Sequence, residues 1–293
     1  MSTFRALIRS MRPQQWTKNI LFVFPAILFD AKLLEFDLLL RVIAAAGLLV
    51  LVSGSVYIIN DLMDRDQDRA HPNKRHRPIA SGELSAAVAK LASAVLVVVS
   101  LGLAHSLDFE LFLLLALYLI IQVAYSLRLK HIALLDVLIV AAGFVIRVMI
   151  GGVVIDVEVS PWLYAFTGLL AMFLVVGKRR QELVMLGEQA EKTRLTFRHY
   201  NLPLLDDMLR IVTTSTLITY ILYTVEVETM TKDGANWGLT TVPFVLYGLL
   251  RYLYLLHVEE STSAPEEILL ADRPIQITVM LAGIAYFIIL YAL

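Results

Sequence analysis

The chain alternates long apolar runs with polar segments, and the runs have the length of membrane-spanning helices. A spanning helix needs about 20 mostly apolar residues. The first candidate is the weakest, because Asp30 and Lys32 follow a short apolar core. We therefore predict an all-α polytopic membrane protein, with one domain over residues 1–293. The nine predicted spans cover residues 19–36, 38–59, 86–104, 109–126, 133–155, 161–177, 209–226, 240–257 and 275–292.

Composition supports a membrane protein and excludes several function classes. The chain of 293 residues is 58% hydrophobic and 17% charged, whereas a soluble domain carries about 25% charged residues. The absence of cysteine excludes disulfides, thiolate metal sites and cysteine nucleophiles. A net charge of −1 gives no sign of a nucleic-acid partner. Arginines precede the first apolar run, but no small-residue cleavage site follows, so the pattern disfavours a signal peptide.

Lys and Arg alternate between the two sides of the predicted membrane. The N-terminal segment and the loops after the second, fourth, sixth and eighth spans are rich in them, and the other loops are poor. The positive-inside rule therefore places the N-terminus in the cytoplasm and the C-terminus outside, in a multi-pass protein of the inner membrane. The long polar loops 60–85, 178–208 and 252–274 all fall on the cytoplasmic side, where we expect the chemistry.

Clustered aspartates follow the second predicted span. If that helix continues, three of them lie at i, i+3 and i+7 on one face, while Asp66 points elsewhere. Carboxylate and amide oxygens on one face suit Mg²⁺, which completes its shell with water and phosphate oxygens. The alternative is a solvated acidic helix end paired with neighbouring arginines. The predicted metal ligands are Asn60, Asp61, Asp64 and Asp68.

A basic loop comes directly after these aspartates. Lys74 and Arg77 lie among prolines that shape the loop, and both side chains can reach phosphate oxygens. A basic loop joined to a magnesium-type face favours diphosphate binding. The alternative is that these residues are ordinary positive-inside anchors.

Nine helices with Asn-Asp-x-x-Asp-x-x-x-Asp after the second resemble the UbiA-type membrane prenyltransferases, which use Mg²⁺ to bind a diphosphate. The resemblance implies a UbiA-like helix bundle with a cytoplasmic-side active site. That family carries a second aspartate-rich motif after the sixth helix. Residues 177–183 read Gly-Lys-Arg-Arg-Gln-Glu-Leu at this position. Bases in place of acids remove a second Mg²⁺ site and create an anion site.

This departure is similar to one branch of the family, the decaprenyl-phosphate phosphoribosyltransferases. Further matching segments are 12–19, 125–131 and 265–273, so the resemblance runs from residue 12 to about 276. It implies Mg²⁺-dependent transfer of 5-phosphoribose from PRPP to a polyprenyl (decaprenyl) phosphate, with release of pyrophosphate. The product, polyprenyl-phosphoryl-5-phosphoribose, feeds cell-wall arabinan in the mycobacterial branch. The implied partners are PRPP, a long-chain polyprenyl phosphate and the lipid bilayer, with a homo-oligomer left open.

The resemblance and the residue types together suggest roles. The catalytic aspartates Asp61, Asp64 and Asp68 would hold Mg²⁺-bound pyrophosphate, helped by Asn60, Lys74 and Arg77. Basic side chains beside the spans would meet the acceptor phosphate: Lys18, Arg128 and Lys130. Tyr125 could donate to a phosphate, and Asp136 could reach the substrate. The remaining candidates would bind the donor: Lys178, Arg179, Glu182, Glu266, Asp272 and Arg273. Which basic cluster takes the 5-phosphate and which takes the acceptor phosphate stays open.

Each of these roles has a simpler alternative. The basic residues beside the spans could be interfacial anchors, and Lys178 with Glu182 could form a helical ion pair. Asp136 and Arg147 lie inside the fifth span on one face and should point into the bundle. Three other functions are alternatives for the whole protein. A UbiA-type aromatic prenyltransferase would need an acidic second motif, and a transporter would show polar groups at the membrane midplane. A structural scaffold would leave the clustered aspartates unexplained.

Overall fold

The fold is built almost wholly from helices. A computed structural model of the chain describes residues 3–70, 74–187, 190–232, 234–259, 268 and 271–292. Eight helices within these residues are long and apolar enough to cross a membrane. The chain divides into two compact units, one of residues 1–28, 32–128 and 146–158, the other of residues 29–31, 129–145 and 159–293. The all-α membrane fold is confirmed, whereas a single domain and a cytoplasmic N-terminus stay predictions.

In the first unit, one long helix carries the aspartates and forms the centre of the packing. This helix, α4, packs against α2, α7 and α8. It runs unbroken for 28 residues and is mostly buried around its middle. The helices up to residue 127 are α1 Thr3–Ser10, α2 Trp16–Val23, α3 Pro25–Phe29, α4 Phe36–Met63, α5 Arg65–Ala70, α6 Pro78–Ser81, α7 Ala86–Leu107 and α8 Phe109–Leu127.

The first predicted span, residues 19–36, is divided into the two short helices α2 and α3. Pro25 begins α3 directly after the end of α2. Proline supplies no backbone N–H and crowds the preceding turn, so the helix is interrupted there. The described residues therefore contain eight long spans and one broken segment in place of nine continuous helices.

In the second unit, helix α10 packs along α12, and α13 packs against α12 and α14. Helix α9 belongs to both units, with residues 135–145 in the second and 146–154 in the first. A two-residue antiparallel hairpin pairs Thr231 with Asn236. The remaining elements are α9 Leu135–Val154, α10 Pro161–Leu186, α11 Ala190–Thr193, α12 Leu202–Glu226, α13 Val242–His257, α14 Arg273–Phe287, β1 Thr231–Lys232 and β2 Ala235–Asn236.

Polar caps fix where several spans begin. The Asp108 carboxylate accepts from the Leu111 amide at 2.9 Å and starts α8, and the Asn201 side chain accepts from the Leu204 amide at 2.9 Å and starts α12. Side-chain oxygens at this position satisfy amides that the first turn of a helix leaves without partners. Helix α8 thus begins at the predicted residue 109, whereas α12 begins at residue 202, before the predicted start at 209.

The interior of the first unit contains a buried polar network around Arg147. Its Nε donates to Asn19 Oδ1 at 2.9 Å and its Nη2 donates to the Tyr118 hydroxyl at 3.0 Å. The Asn19 amide in turn donates to Ser53 Oγ at 2.7 Å. A buried charge is tolerated only when its donors are satisfied. The prediction that Arg147 points into the bundle is confirmed, and the network links α2, α4, α8 and α9.

Candidate functional site

The aspartate cluster, defined as Asn60, Asp61, Asp64 and Asp68, lies in the first unit at the end of α4. Asp61 and Asp68 are each only 2% exposed. Arg77 Nη1 donates to Asp61 Oδ1 at 3.1 Å and to Asp68 Oδ2 at 2.7 Å. Arg12 Nη2 donates to the same Asp61 oxygen at 2.6 Å. Two carboxylates and two guanidiniums therefore form one charge-balanced group.

The elements around α4 position the two arginines. Arg77 precedes Pro78, the first residue of α6, and Arg69 Nε donates to the Ala80 carbonyl at 3.0 Å, which ties α5 to α6. The guanidinium of Arg12 also lies 4.7 Å from the centre of the Tyr57 ring, one helical turn before Asp61. Arg12 itself has a backbone φ of 52°, in the left-handed region.

The continuous helix that would place the aspartates on one face is not formed, and Asp61 and Asp68 come together from two helices, α4 and α5, against Arg77. Helix α4 ends at Met63, and Asp64 is the residue at which the chain turns into α5. Its carboxylate accepts from the Asn60 side-chain amide at 3.2 Å. The side chain of Asp66 is 81% exposed and pairs with Arg65, so it points away from the cluster as predicted.

The donor set of this cluster suits Mg²⁺. Among the described residues, no group of three or more His, Cys, Asp or Glu side chains lies close enough to hold a metal ion together. Mg²⁺ needs only one or two protein carboxylates, because water and phosphate oxygens complete its shell. Asp61 and Asp68, which share one guanidinium nitrogen, are two carboxylates that could form such a pair. Asp64 and Asn60 supply further hard oxygens beside it.

The arginine cluster, defined as Asp136, Arg179, Glu182, Arg194 and Tyr200, lies in the second unit. Arg179 on α10 is 6% exposed and Asp136 on α9 is fully buried. Arg179 Nε donates to Asp136 Oδ2 at 3.3 Å, and its Nη1 donates to Glu182 Oε2 at 2.7 Å. Arg194 Nη1 lies 3.7 Å from the same Asp136 oxygen. The Tyr200 hydroxyl donates to Asp136 Oδ1 at 2.7 Å.

The neighbours of Arg179 on α10 have packing roles. A Cβ on Gly177 would lie 2.8 Å from the Tyr252 hydroxyl, so glycine allows α10 and α13 to approach closely. Arg180 Nε donates to Asp206 Oδ1 at 2.6 Å and its Nη1 donates to the Leu256 carbonyl at 3.0 Å. Of the two arginines in the Gly-Lys-Arg-Arg run, Arg179 thus enters the arginine cluster and Arg180 links α10 to α12 and α13.

Asp272 has two structural contacts. Its carboxylate caps α14 by accepting from the Ile275 amide at 2.9 Å, and it accepts from Arg251 Nη2 at 2.8 Å. The hydrogen bond from Arg251 holds the pKa of Asp272 below its usual value, although partial burial acts in the opposite direction. Arg273 begins α14 and is exposed. Substrate binding by these two residues stays a prediction.

The other predicted site residues are distributed over the surfaces of both units. Five are half-buried or exposed at helix ends or short turns, and a sixth, Lys178, is half-buried beside Arg179. Glu266 lies outside the described residues. The half-buried ones are Lys18, Tyr125 and Lys130, and the exposed ones are Lys74 and Arg128.

Three residues in or against the two clusters are not among the predicted site residues. Arg12 belongs to segment 12–19, which indicated membrane orientation and family resemblance but no contact with the aspartates. Arg194 and Tyr200 follow the Gly-Lys-Arg-Arg motif in the polar segment 178–208, where the sequence predicted roles only for Lys178, Arg179 and Glu182. An aromatic residue with a polar tip inside a basic loop was the one available signal for Tyr200.

The chain matches the UbiA prenyltransferase family over residues 19–269. It is 33% identical over 282 residues to the decaprenyl-phosphate phosphoribosyltransferase of Mycolicibacterium smegmatis, covering 92% of this chain and 88% of that protein. A protein of the same name from Mycobacterium tuberculosis is 31% identical over 278 residues, covering 92% of this chain and 89% of the relative.

The fold is similar to that of a UbiA homolog from Archaeoglobus fulgidus bound to DMAPP and Mg²⁺. The TM-score is 0.73 at 20% sequence identity, covering 98% of this chain and 99% of that chain. The match over most of the chain and the shared fold lead to one assignment: the chain belongs to the UbiA prenyltransferase family.

Proposed function

We propose that this protein transfers 5-phosphoribose from PRPP to the phosphate of a long-chain polyprenyl phosphate and releases pyrophosphate. The observation that carries the proposal is the buried Arg179, held by Asp136 and Glu182 on the second motif. The prenyltransferases that the sequence resembles carry aspartates at this motif. A fixed guanidinium suits a phosphate group on the substrate, whereas it cannot hold a second Mg²⁺. The names of the relatives support the same reaction.

The reaction breaks the bond between the anomeric carbon and the pyrophosphate oxygen of the donor. A phosphate oxygen of the acceptor supplies the electron pair for the new bond to that carbon. Since the acceptor is already an anion, no strong general base is needed. Positive charge grows on the ribose and negative charge on the leaving pyrophosphate, so groups that bind the leaving group stabilise the transition state.

The aspartate cluster is assigned to the pyrophosphate. Asp61 and Asp68, with Asp64 and Asn60 beside them, would hold Mg²⁺, which supplies charge stabilisation of the phosphate oxygens when bound. Arg12 and Arg77 already lie against these carboxylates, and their guanidiniums can donate to pyrophosphate oxygens. Lys74 would neutralise further phosphate charge from the adjoining turn.

The second unit is assigned to the ribose phosphate part of the donor. Arg179 and Lys178 would bind the 5-phosphate, and Glu182 would orient Arg179 or accept from ribose hydroxyls. The acceptor phosphate is assigned to the basic side chains beside the spans, Lys18, Arg128 and Lys130, with Tyr125 as a hydroxyl donor. The prenyl chain of the acceptor would lie in the bilayer beside the spans.

The test is pyrophosphate release by the full-length protein in detergent. We expect release only when PRPP, decaprenyl phosphate and Mg²⁺ are all present. Asp68→Asn should abolish it, and Asp66→Asn, on the exposed side of the same helix, should not. Activity with a prenyl diphosphate and an aromatic acid in place of these substrates would contradict the proposal and favour an aromatic prenyltransferase.

A further inference from the structure

One buried carboxylate in the second unit connects three separate segments of the chain. Asp136, near the start of α9, is fully buried. One of its oxygens accepts from the Tyr200 hydroxyl, and the other faces both Arg179 and Arg194. Arg179 comes from α10, whereas Arg194 and Tyr200 come from the segment between α11 and α12. Asp136 therefore fixes two arginines from different elements against one oxygen atom.

Tyr200 fixes the carboxylate in turn. Its hydroxyl donates to Asp136 Oδ1 and accepts from the Leu134 backbone amide at 2.8 Å, directly before α9. Burial and the bond to Asp136 raise the pKa of the Tyr200 phenol, so the hydroxyl keeps its proton and remains a donor. A buried carboxylate needs such satisfied partners to be stable. The phenol thereby restricts the Asp136 carboxylate to one orientation.

Arg179 has donors left over after these contacts. Its Nε bonds to Asp136 and its Nη1 to Glu182, while Nη2 makes no hydrogen bond within the described part of the chain. The side chain is 7% exposed. A buried guanidinium nitrogen with unused hydrogens is a donor that a bound anion can take.

The charges in the arginine cluster indicate which kind of anion it can bind. Two guanidiniums face the two carboxylates of Asp136 and Glu182, so the cluster is formally neutral and does not attract anions by net charge. It offers fixed N–H donors together with the partly exposed carboxylate of Glu182. Donors for a phosphate beside an acceptor for hydroxyl groups match a phosphorylated sugar better than a pyrophosphate.

We propose that Asp136 and Tyr200 are positioning residues that hold Arg179 and Arg194 as a two-arginine site for the sugar-phosphate end of the donor. Arg194 is the second phosphate ligand, and Glu182 meets the sugar hydroxyls. The inference rests on the proposed function and deepens it, because it names the residues that recognise the ribose 5-phosphate part of PRPP. Tyr200 acts through Asp136 and does not touch the substrate.

The first test uses Tyr200→Phe, which removes one hydroxyl from the full-length protein. We expect the KM for PRPP and the inhibition constant of ribose 5-phosphate to rise about tenfold, the size expected for one lost hydrogen bond to a charged group. The inhibition constant of pyrophosphate and kcat should stay nearly unchanged. Tyr223→Phe is the matched control, because the buried Tyr223 hydroxyl has no hydrogen-bond partner among the described residues.

The second test uses Arg194, whose partly exposed side chain can be replaced without a large packing change. Arg194→Gln should raise the inhibition constant of ribose 5-phosphate more than tenfold. Arg194→Lys should recover part of the lost affinity because it restores the charge. Unchanged ribose 5-phosphate inhibition in Arg194→Gln and Tyr200→Phe would overturn the inference alone. An equal rise in the inhibition constants of ribose 5-phosphate and pyrophosphate, with a lower Tm, would show that these residues have a purely structural role. A wild-type protein that uses no PRPP would overturn the proposed function as well.

Discussion

The aspartate cluster and the arginine cluster are built with opposite charges. In the first unit, Asp61 lies on the spanning helix α4 and its carboxylate accepts from arginines of flanking segments. In the second unit, Arg179 lies on the spanning helix α10 and donates to the carboxylate of Asp136 on α9. Both arrangements keep a buried charge paired. Under the proposed function, the charge on the helix itself matches the assigned ligand, a cation–phosphate complex for Asp61 and a phosphate without a metal ion for Arg179.

Removing a carboxylate from the first cluster should have the largest effect. Asp61→Asn leaves Arg12 and Arg77 facing a neutral side chain and removes a candidate metal oxygen. We expect the rate of pyrophosphate release to fall by about a hundredfold or more. A Mg²⁺ titration of the rate should also shift to higher concentration. A variant with wild-type rate and Mg²⁺ dependence would remove Asp61 from the proposed site.

Removing Arg77, which donates to both Asp61 and Asp68, tests how far the aspartate cluster contributes to stability. Arg77→Gln leaves the buried Asp61 and Asp68 with less compensating charge, so we expect the free energy of unfolding to fall by about 2–3 kcal/mol. Thermal unfolding in detergent measures the change. Arg65→Gln is the matched control, since among the described residues Arg65 pairs only with the exposed Asp66, at 3.3 Å. Equal Tm values for the two variants would contradict the prediction.

Gly177 offers a smaller test beside the second cluster. Gly177→Ala forces the Tyr252 ring to move, and overpacking of this kind costs about 1–3 kcal/mol. Gly102→Ala in α7 is the control, because a Cβ there meets nothing within 4 Å. Since alanine favours helices over glycine, the control should be neutral or slightly stabilising. The Tm values of both variants test this prediction. A Gly177→Ala protein as stable as the control would contradict the close approach of α10 and α13 at Gly177.

The ion pair between Asp272 and Arg251 should give the smallest effect, and it depends on pH. Since the folded-state pKa of Asp272 is lowered, its stabilisation is complete above the ordinary aspartate value of about 3.9. It is lost as the pH falls through the lowered value. We therefore expect Asp272→Asn to lower Tm equally at pH 7 and pH 5, and by less at pH 3. A difference that grows on acidification would reverse this assignment.

Much of the fold follows from local patterns in the sequence. Spans such as α8 and α12 combine an apolar run with a polar cap, and both signals lie within a few residues of each other. The first predicted span was wrong as a continuous helix. The segment is long enough to cross a membrane, but Pro25 interrupts it. The meeting of Asp61 and Asp68 could not be predicted from helical spacing, because the chain turns at Asp64 between two helices.

The contacts that complete the two clusters were beyond sequence reasoning. Tyr200 lies 64 residues from Asp136, and Arg12 lies 49 residues from Asp61. No local periodicity encodes such pairs, because they arise only when separate helices pack. Helical spacing suggested that Glu182 pairs with Lys178, four residues before it, whereas in the structure Glu182 accepts from Arg179, three residues before it.

The backbone of Arg12 has a consequence for engineering this protein. A left-handed φ of 52° costs a non-glycine residue about 1–2 kcal/mol. A design procedure that optimises backbone geometry alone would therefore place glycine at position 12. That substitution would relax the chain and delete the guanidinium that bonds to Asp61. Position 12 is thus a site where relief of backbone strain is expected to cost turnover.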